Sequence, residues 1–118
     1  MKPKIKMFIK KLIQKYGIEV KRKARVEHLE NGEVYYTYTA KEPVKGQFTQ
    51  ITPVDNLLNR YGIDIAADYI GTFLPSVEIE EGDLLYINDG WYEVQNKIVR
   101  RSGTIDHYIE VLLRRKND

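Results

Sequence analysis

Residues 82–115, GDLLYINDGWYEVQNKIVRRSGTIDHYIEVLLRR, decide the fold, because their turns and faces can be assigned from residue type alone. Asp83 to Ile87 is a short apolar strand. Asn88-Asp89-Gly90 supplies residues that accept positive φ for a tight hairpin, and Trp91 to Val99 returns. Arg101-Ser102-Gly103-Thr104 makes a second turn. The last strand alternates, with Ile105, His107, Ile109, Val111 and Leu113 on one face and Asp106, Tyr108, Glu110, Leu112 and Arg114 on the other. One face, the aliphatic one, is expected to be core. On the middle strand Tyr92, Val94 and Ile98 share a face, so the meander carries enough apolar surface to require a covering layer from upstream.

Upstream, Ile5, Phe8, Ile9, Leu12, Ile13 and Tyr16 recur at helical spacing while Lys2, Lys4, Lys6, Lys10, Lys11 and Lys15 lie mostly off that stripe. The pattern predicts an amphipathic helix over 1–17 that docks on a sheet and ends with Gly17 at C′. From Ile18 the period becomes two, Ile18, Val20, Arg22 and Ala24 opposing Glu19, Lys21, Lys23 and Arg25, which predicts a strand with a basic outer face. Asn31-Gly32 is a strong hairpin signal. Val34 to Ala40 returns, Lys41-Glu42-Pro43 is read as a break, and Val44 to Ile51 as a further strand. Thr52-Pro53-Val54-Asp55 opens a short helix over 52–62, stopped by Gly62. A strand over 68–74 and an acidic connector, Ser76 to Glu81, lead back to Gly82. Many short strands, glycine turns and no βαβ spacing make this one domain, 1–118. It is expected to be mainly β, a small antiparallel barrel or half-barrel with an amino-terminal helix, a short internal helix and a frayed tail at 116–118.

The formal charge of +2 over 118 residues conceals a segregation. Residues 1–25 hold ten Lys or Arg against one Glu, and residues 26–118 hold nine basic against sixteen acidic groups. A basic head on an acidic body suits contact with a polyanion or between copies of the chain, and equally a solvated helix face. The absence of cysteine excludes disulfides, thiolate metal sites and cysteine nucleophiles. No apolar run approaches the roughly 20 residues that span a bilayer, and the amino terminus is too charged for a signal peptide, so a soluble intracellular or virion protein is expected.

Reactive groups do not converge. His28 and His107 fall on different strands without metal-ligand spacing, and His107 is expected to be half-buried and satisfied. Glu80-Glu81 and Asp64–Asp68 read as solvated charge, and no phosphate-cradling loop or nucleophile elbow occurs. The reading is non-catalytic, with no metal and no cofactor. Tyr35, Tyr36 and Tyr38 beside the basic strand leave open a second reading, a small barrel that binds single-stranded nucleic acid.

Residues 67–115, ADYIGTFLPSVEIEEGDLLYINDGWYEVQNKIVRRSGTIDHYIEVLLRR, resemble the head-completion proteins of tailed phages, also called head–tail connector, head-closure or stopper proteins. The shared pattern is Gly82-Asp83, an apolar strand Leu84 to Ile87, the turn Asn88-Asp89-Gly90, the Tyr92-Glu93-Val94 strand, and a last strand from Tyr108 to Arg114. The opening KKLIQKYGIEVKRK, residues 10–23, is similar to the start of such proteins, whereas Lys41 to Gly62 has no counterpart in the pattern. The resemblance implies a virion structural protein, assembled in the host cytoplasm. It would form a homo-oligomeric ring of six or twelve copies that joins the portal or adaptor to the tail. Double-stranded DNA would pass through the centre without sequence recognition, and no membrane would be involved. Lys10, Lys11, Lys15, Lys21, Arg22, Lys23 and Arg25 would then face neighbouring subunits, the portal or the DNA channel. Gly17, Asn31, Gly32, Gly82, Asp83, Gly90, Trp91, Tyr92 and Val94 would define the fold.

Overall fold

The computed structural model describes residues 3–51, 67–102 and 105–116, with side chains from residue 10 onward except at 102 and 105–106. The expected helix over 52–62, residues 63–66, Gly103-Thr104 and the first two and last two residues lie outside the described residues. The chain is mainly β: helix α1 (Pro3–Tyr16), then β1 (Ile18–Glu30), β2 (Glu33–Gln50), β3 (Tyr69–Phe73), β4 (Leu84–Ile87), β5 (Gly90–Ser102) and β6 (Ile105–Arg115). The six strands close into an antiparallel barrel in the order β1-β2-β3-β6-β5-β4, β4 returning to β1 through Arg22↔Leu85 and Lys23↔Leu84.

The interior is filled by alternate residues of every strand, among them Val20, Val44, Phe73, Leu85, Val94 and Val111, together with Ile79 from the connector. Ile79 is fully buried and Val77 packs against the same cluster, so the acidic connector plugs the barrel with its two apolar residues while Glu78, Glu80 and Glu81 stay exposed. At Gly46 the wall has no room for a side chain, since a Cβ there would lie 2.5 Å from the Phe73 ring.

Both faces of β6 are covered, contrary to the one-face expectation. Ile109, Val111 and Leu113 point inward, but Leu112 is equally buried and Glu110 nearly so. Leu112 pairs with the buried Ile70 on the outer side, where α1 packs across β2 and β6 with Ile13 buried. Burying these apolar groups removes about 25 cal/mol per Å² of exposed hydrocarbon, which gives the outer layer a driving force of its own.

Three irregularities correct the strand reading, and each is a β-bulge. Val20 pairs with Val44 but Arg22 with Lys41, so Lys21 faces both Glu42 and Pro43. The proline sits in a bulge, where its missing amide is harmless, and β2 runs through it unbroken. On β5, Gln95 is the extra residue between Val94↔Leu113 and Asn96↔Leu112. Beyond it the faces exchange, so Val99 rather than Ile98 packs on the core. His107 is the extra residue of β6, between Tyr108↔Arg100 and Asp106↔Arg101. Far from half-buried and satisfied, its ring is 2% exposed with neither nitrogen hydrogen-bonded among the described residues.

The turn at 31–32 has φ of 54° at Asn31 and 79° at Gly32, the signature of a type I′ hairpin. In the next hairpin Asn88 alone has positive φ (58°), and a Cβ at Gly90 would meet the guanidinium of Arg115, a flexible and half-exposed side chain that can move aside. Gly17 likewise has ordinary φ. Its amide closes the helix on the Ile13 carbonyl at 2.8 Å, and a Cβ would collide with that carbonyl.

Candidate interaction surface

Beyond the barrel, β1 and β2 continue together as a two-stranded arm. Residues 24–30 pair only with 33–39 among the described strands, the next neighbours being β4 at residues 22–23 and β3 at residues 47–50. At roughly 3.4 Å per residue the arm is about 20 Å long, and the molecule measures 52 × 32 × 31 Å. Leu29, Val34, Tyr35 and Tyr36, all on this arm, are 44–74% exposed. Leu29, Val34 and Tyr36 share one face of the arm and Tyr35 stands on the other, so water covers apolar surface on both sides.

The root of the arm is cationic and aromatic at once. On the outer face the Lys23 ammonium lies 4.4 Å from the Trp91 ring centroid, the Arg25 guanidinium 4.4 Å from Tyr36, Lys116 5.5 Å from Tyr38 and Lys21 5.9 Å from Tyr86. Tyr86 and Trp91 pack edge to face at 5.1 Å. Each contact is worth about 0.5–1 kcal/mol when exposed, enough to hold long side chains against the wall instead of waving in solvent. Arg115, 5.7 Å from the Tyr92 ring, extends the band, and its pKa is pushed further up chiefly by a hydrogen bond to Tyr92. Toward the tip the charge reverses, with Glu27, Glu30 and Glu33 exposed.

Beneath this band lies a buried ion pair. Asp83 Oδ2 accepts from Arg22 Nε and Nη2, each at 3.0 Å, and from the Glu80 amide at 3.0 Å, while Oδ1 accepts from the Arg25 amide at 3.4 Å. The two side chains are 10% and 4% exposed. One carboxylate thus ties β1 to the connector and to the start of β4, and the arm springs from that tie. Gly82 beside it takes φ of 93°, and the Arg25 guanidinium lies flat over it where any Cβ would collide.

The expected contact residues therefore separate. Lys21, Lys23 and Arg25 share the outer face, and Lys10, Lys11 and Lys15 are exposed on α1. Arg22, expected among the contact residues, is turned inward, because its parity follows Val20 into the barrel wall, and it serves as the partner of Asp83. Lys116, Arg115 and Tyr86 join the band without having been singled out from the sequence. The signal for Tyr86 and Lys116 was outward parity next to Trp91, whereas Arg115 has the inward parity of Leu113 and lies over Tyr92 at the barrel's end.

Among the described residues no group of three or more His, Asp or Glu could hold a metal ion. His28 stacks on Tyr35 at 4.8 Å and 11°, and its Nε2 lies 2.7 Å from Thr37 Oγ1, out on the arm and far along the chain from buried His107. Asp68 accepts the Arg115 amide at 2.7 Å, and the exposed Glu80 pairs with Lys97 at 3.0 Å. No helix among the described residues is long and apolar enough to cross a membrane. No protein-family model, curated protein or solved structure matches the chain.

Proposed function

We propose that this protein is a structural component of a tailed-phage head–tail connector, a ring-forming subunit that joins the portal or adaptor to the tail and surrounds the DNA channel. The observation that carries the reading is the projecting hairpin with its cation-lined root. It is a surface suited to gripping neighbours, on a barrel whose inward-turned Arg22 is engaged in a structural pair with Asp83. The resemblance of residues 67–115 to head-completion proteins supports the same conclusion, since Gly82-Asp83 and the Tyr92-x-Val94 strand form the junction from which the arm rises. Lys21, Lys23 and Arg25 then make salt-sensitive contacts with an acidic neighbour, each weak alone and multiplied around the ring.

A single-stranded nucleic-acid barrel is the less favoured reading, because Arg25 already covers Tyr36, Lys116 covers Tyr38 and Lys23 covers Trp91, so these rings are not free platforms for bases. The deciding experiment mixes the purified chain with its portal or adaptor ring and images the product by negative stain. A density added below the ring, with the rotational symmetry of the portal, is the expected result. Failure to bind at low salt overturns the proposal, and tight oligonucleotide binding in its place selects the alternative.

A further inference from the structure

The arm has an open edge with its own code. From Glu33 to Lys41, β2 has β1 on one side and no described strand on the other, and every residue but the half-buried Tyr38 is exposed. The direction of its backbone groups follows from two observations. A two-residue turn makes Glu30↔Glu33 a hydrogen-bonded pair, so by alternation Arg25↔Tyr38 is not one. The Arg25 amide agrees, pointing away from β2 to Asp83 Oδ1. Val34, Tyr36, Tyr38 and Ala40 therefore aim their amides and carbonyls at the open edge.

We propose that a second copy of this chain pairs antiparallel along this edge, with a twofold axis through Thr37, to form a continuous sheet β1–β2–β2–β1. That register alone uses the whole edge between its two stops, because it sets the Asn31-Gly32 turn of one copy against Pro43 and Glu42 of the other. It places Val34 against Ala40 and Tyr36 against Tyr38, twice each, in the positions where both residues offer their backbone groups. It sets Glu33 against Lys41 at both ends, and Tyr35 against Thr39, on the opposite face. Opposite charges and aromatic pairs in direct register are the contacts that stabilise antiparallel strands. The pairing covers Val34, Tyr35 and Tyr36, which stand 52%, 44% and 45% exposed in the single chain. An isologous contact closes at two copies, so it shields an edge that would otherwise recruit strands indiscriminately. The inference concerns the chain on its own and does not rest on the connector reading.

Sedimentation velocity over about 1–100 µM tests it, dimer growing with concentration. Glu33→Lys and Lys41→Glu should each weaken the dimer about tenfold, and the double charge swap should restore it, since each end then carries the same pair reversed. Glu33→Lys also relieves the Glu30–Glu33 repulsion at the tip, so loss of dimer in that variant is not loss of the arm. The chain has no cysteine, which makes Thr37→Cys a direct reading of the axis. A non-hydrogen-bonded antiparallel pair holds its Cα atoms about 4.5 Å apart, within disulfide range, so mild oxidation should cross-link this variant. Thr39→Cys, two residues off the axis, should cross-link at least about tenfold more slowly, as its equivalent lies about 13 Å away along the strand. A chain that stays monomeric at the highest concentration, a charge swap that fails to restore dimer, or equal cross-linking at 37 and 39 each overturns the proposal.

Discussion

Truncating Asp83 to alanine tests whether the arm is anchored where the geometry says it is. The substitution removes the acceptor for the Arg22 guanidinium, which is only 10% exposed, and leaves a buried cation without its counter-ion. Breaking a buried pair from one side costs about 3–5 kcal/mol. The Glu80 and Arg25 amides lose the same acceptor, but both residues are exposed and water can replace it, so little is added. For a chain of this length, where total stability is roughly 6–18 kcal/mol, that is a large fraction. At about 3–6 °C per kcal/mol it should lower the melting temperature by about 10–25 °C. Arg22→Met should cost less, about 2–3 kcal/mol, because Asp83 keeps its two backbone donors. Combining the two should cost less than their sum by about 1–3 kcal/mol, since each single change already breaks the pair. Urea denaturation of the four proteins measures the cycle. A loss below about 1 kcal/mol for Asp83→Ala, or strict additivity in the double variant, would refute the claim that this pair is a single buried unit.

Gly46→Ala pushes a methyl into the Phe73 ring and should destabilise by about 1–3 kcal/mol, read as a lower urea midpoint with unchanged slope. His107→Leu replaces an imidazole that is 2% exposed and unbonded among the described residues, and should be neutral or stabilising by up to about 2 kcal/mol, whereas His107→Ala, which leaves a cavity, should lower the melting temperature. Reversing Lys21, Lys23 and Arg25 together to glutamate should cost only about 1–3 kcal/mol of stability, because the contacts it removes are surface cation–aromatic pairs. The same variant should lose co-assembly with the portal ring at moderate salt, judged by co-sedimentation.

How far the sequence could be read depended on how far an order of two residues persists before a bulge interrupts it. The hairpins were legible because Asn31-Gly32 and Asn88 accept positive φ and so declare their turns locally. The inward set Val20, Tyr92, Val94, Ile109, Val111 and Leu113 followed from alternation alone. Alternation failed at Gln95, where one extra residue on β5 exchanges the faces and sends Ile98 outward and Val99 inward, with nothing in the residue types to announce it. It failed again at Pro43, because a proline opposite Lys21 reads as a stop unless its own strand is known to bulge there. Leu112 looked like an exposed leucine on a polar face. Its burial depends on α1 crossing that side of the barrel, a fact about packing rather than about the strand.

The interaction surface shows the same limit from the other side. Arg22 shared the parity of Val20 and Ala24, and a charge at an inward position requires a buried partner of opposite sign, so the sequence contained a demand without an address. The address lies 61 residues away, at Asp83, and only the closure of β1 against β4 brings the two together. With Arg22 inward, Lys21, Lys23 and Arg25 are left on the outside, and the parity that removes one arginine from the surface is the parity that lines the other three cations along it. The buried pair and the exposed band are thus one consequence of a single strand register. A shift of β1 by one residue against β4 would turn both Lys21 and Lys23 inward with Asp83 able to receive one of them, and would expose Val20 and Arg22, which is the reason the register holds.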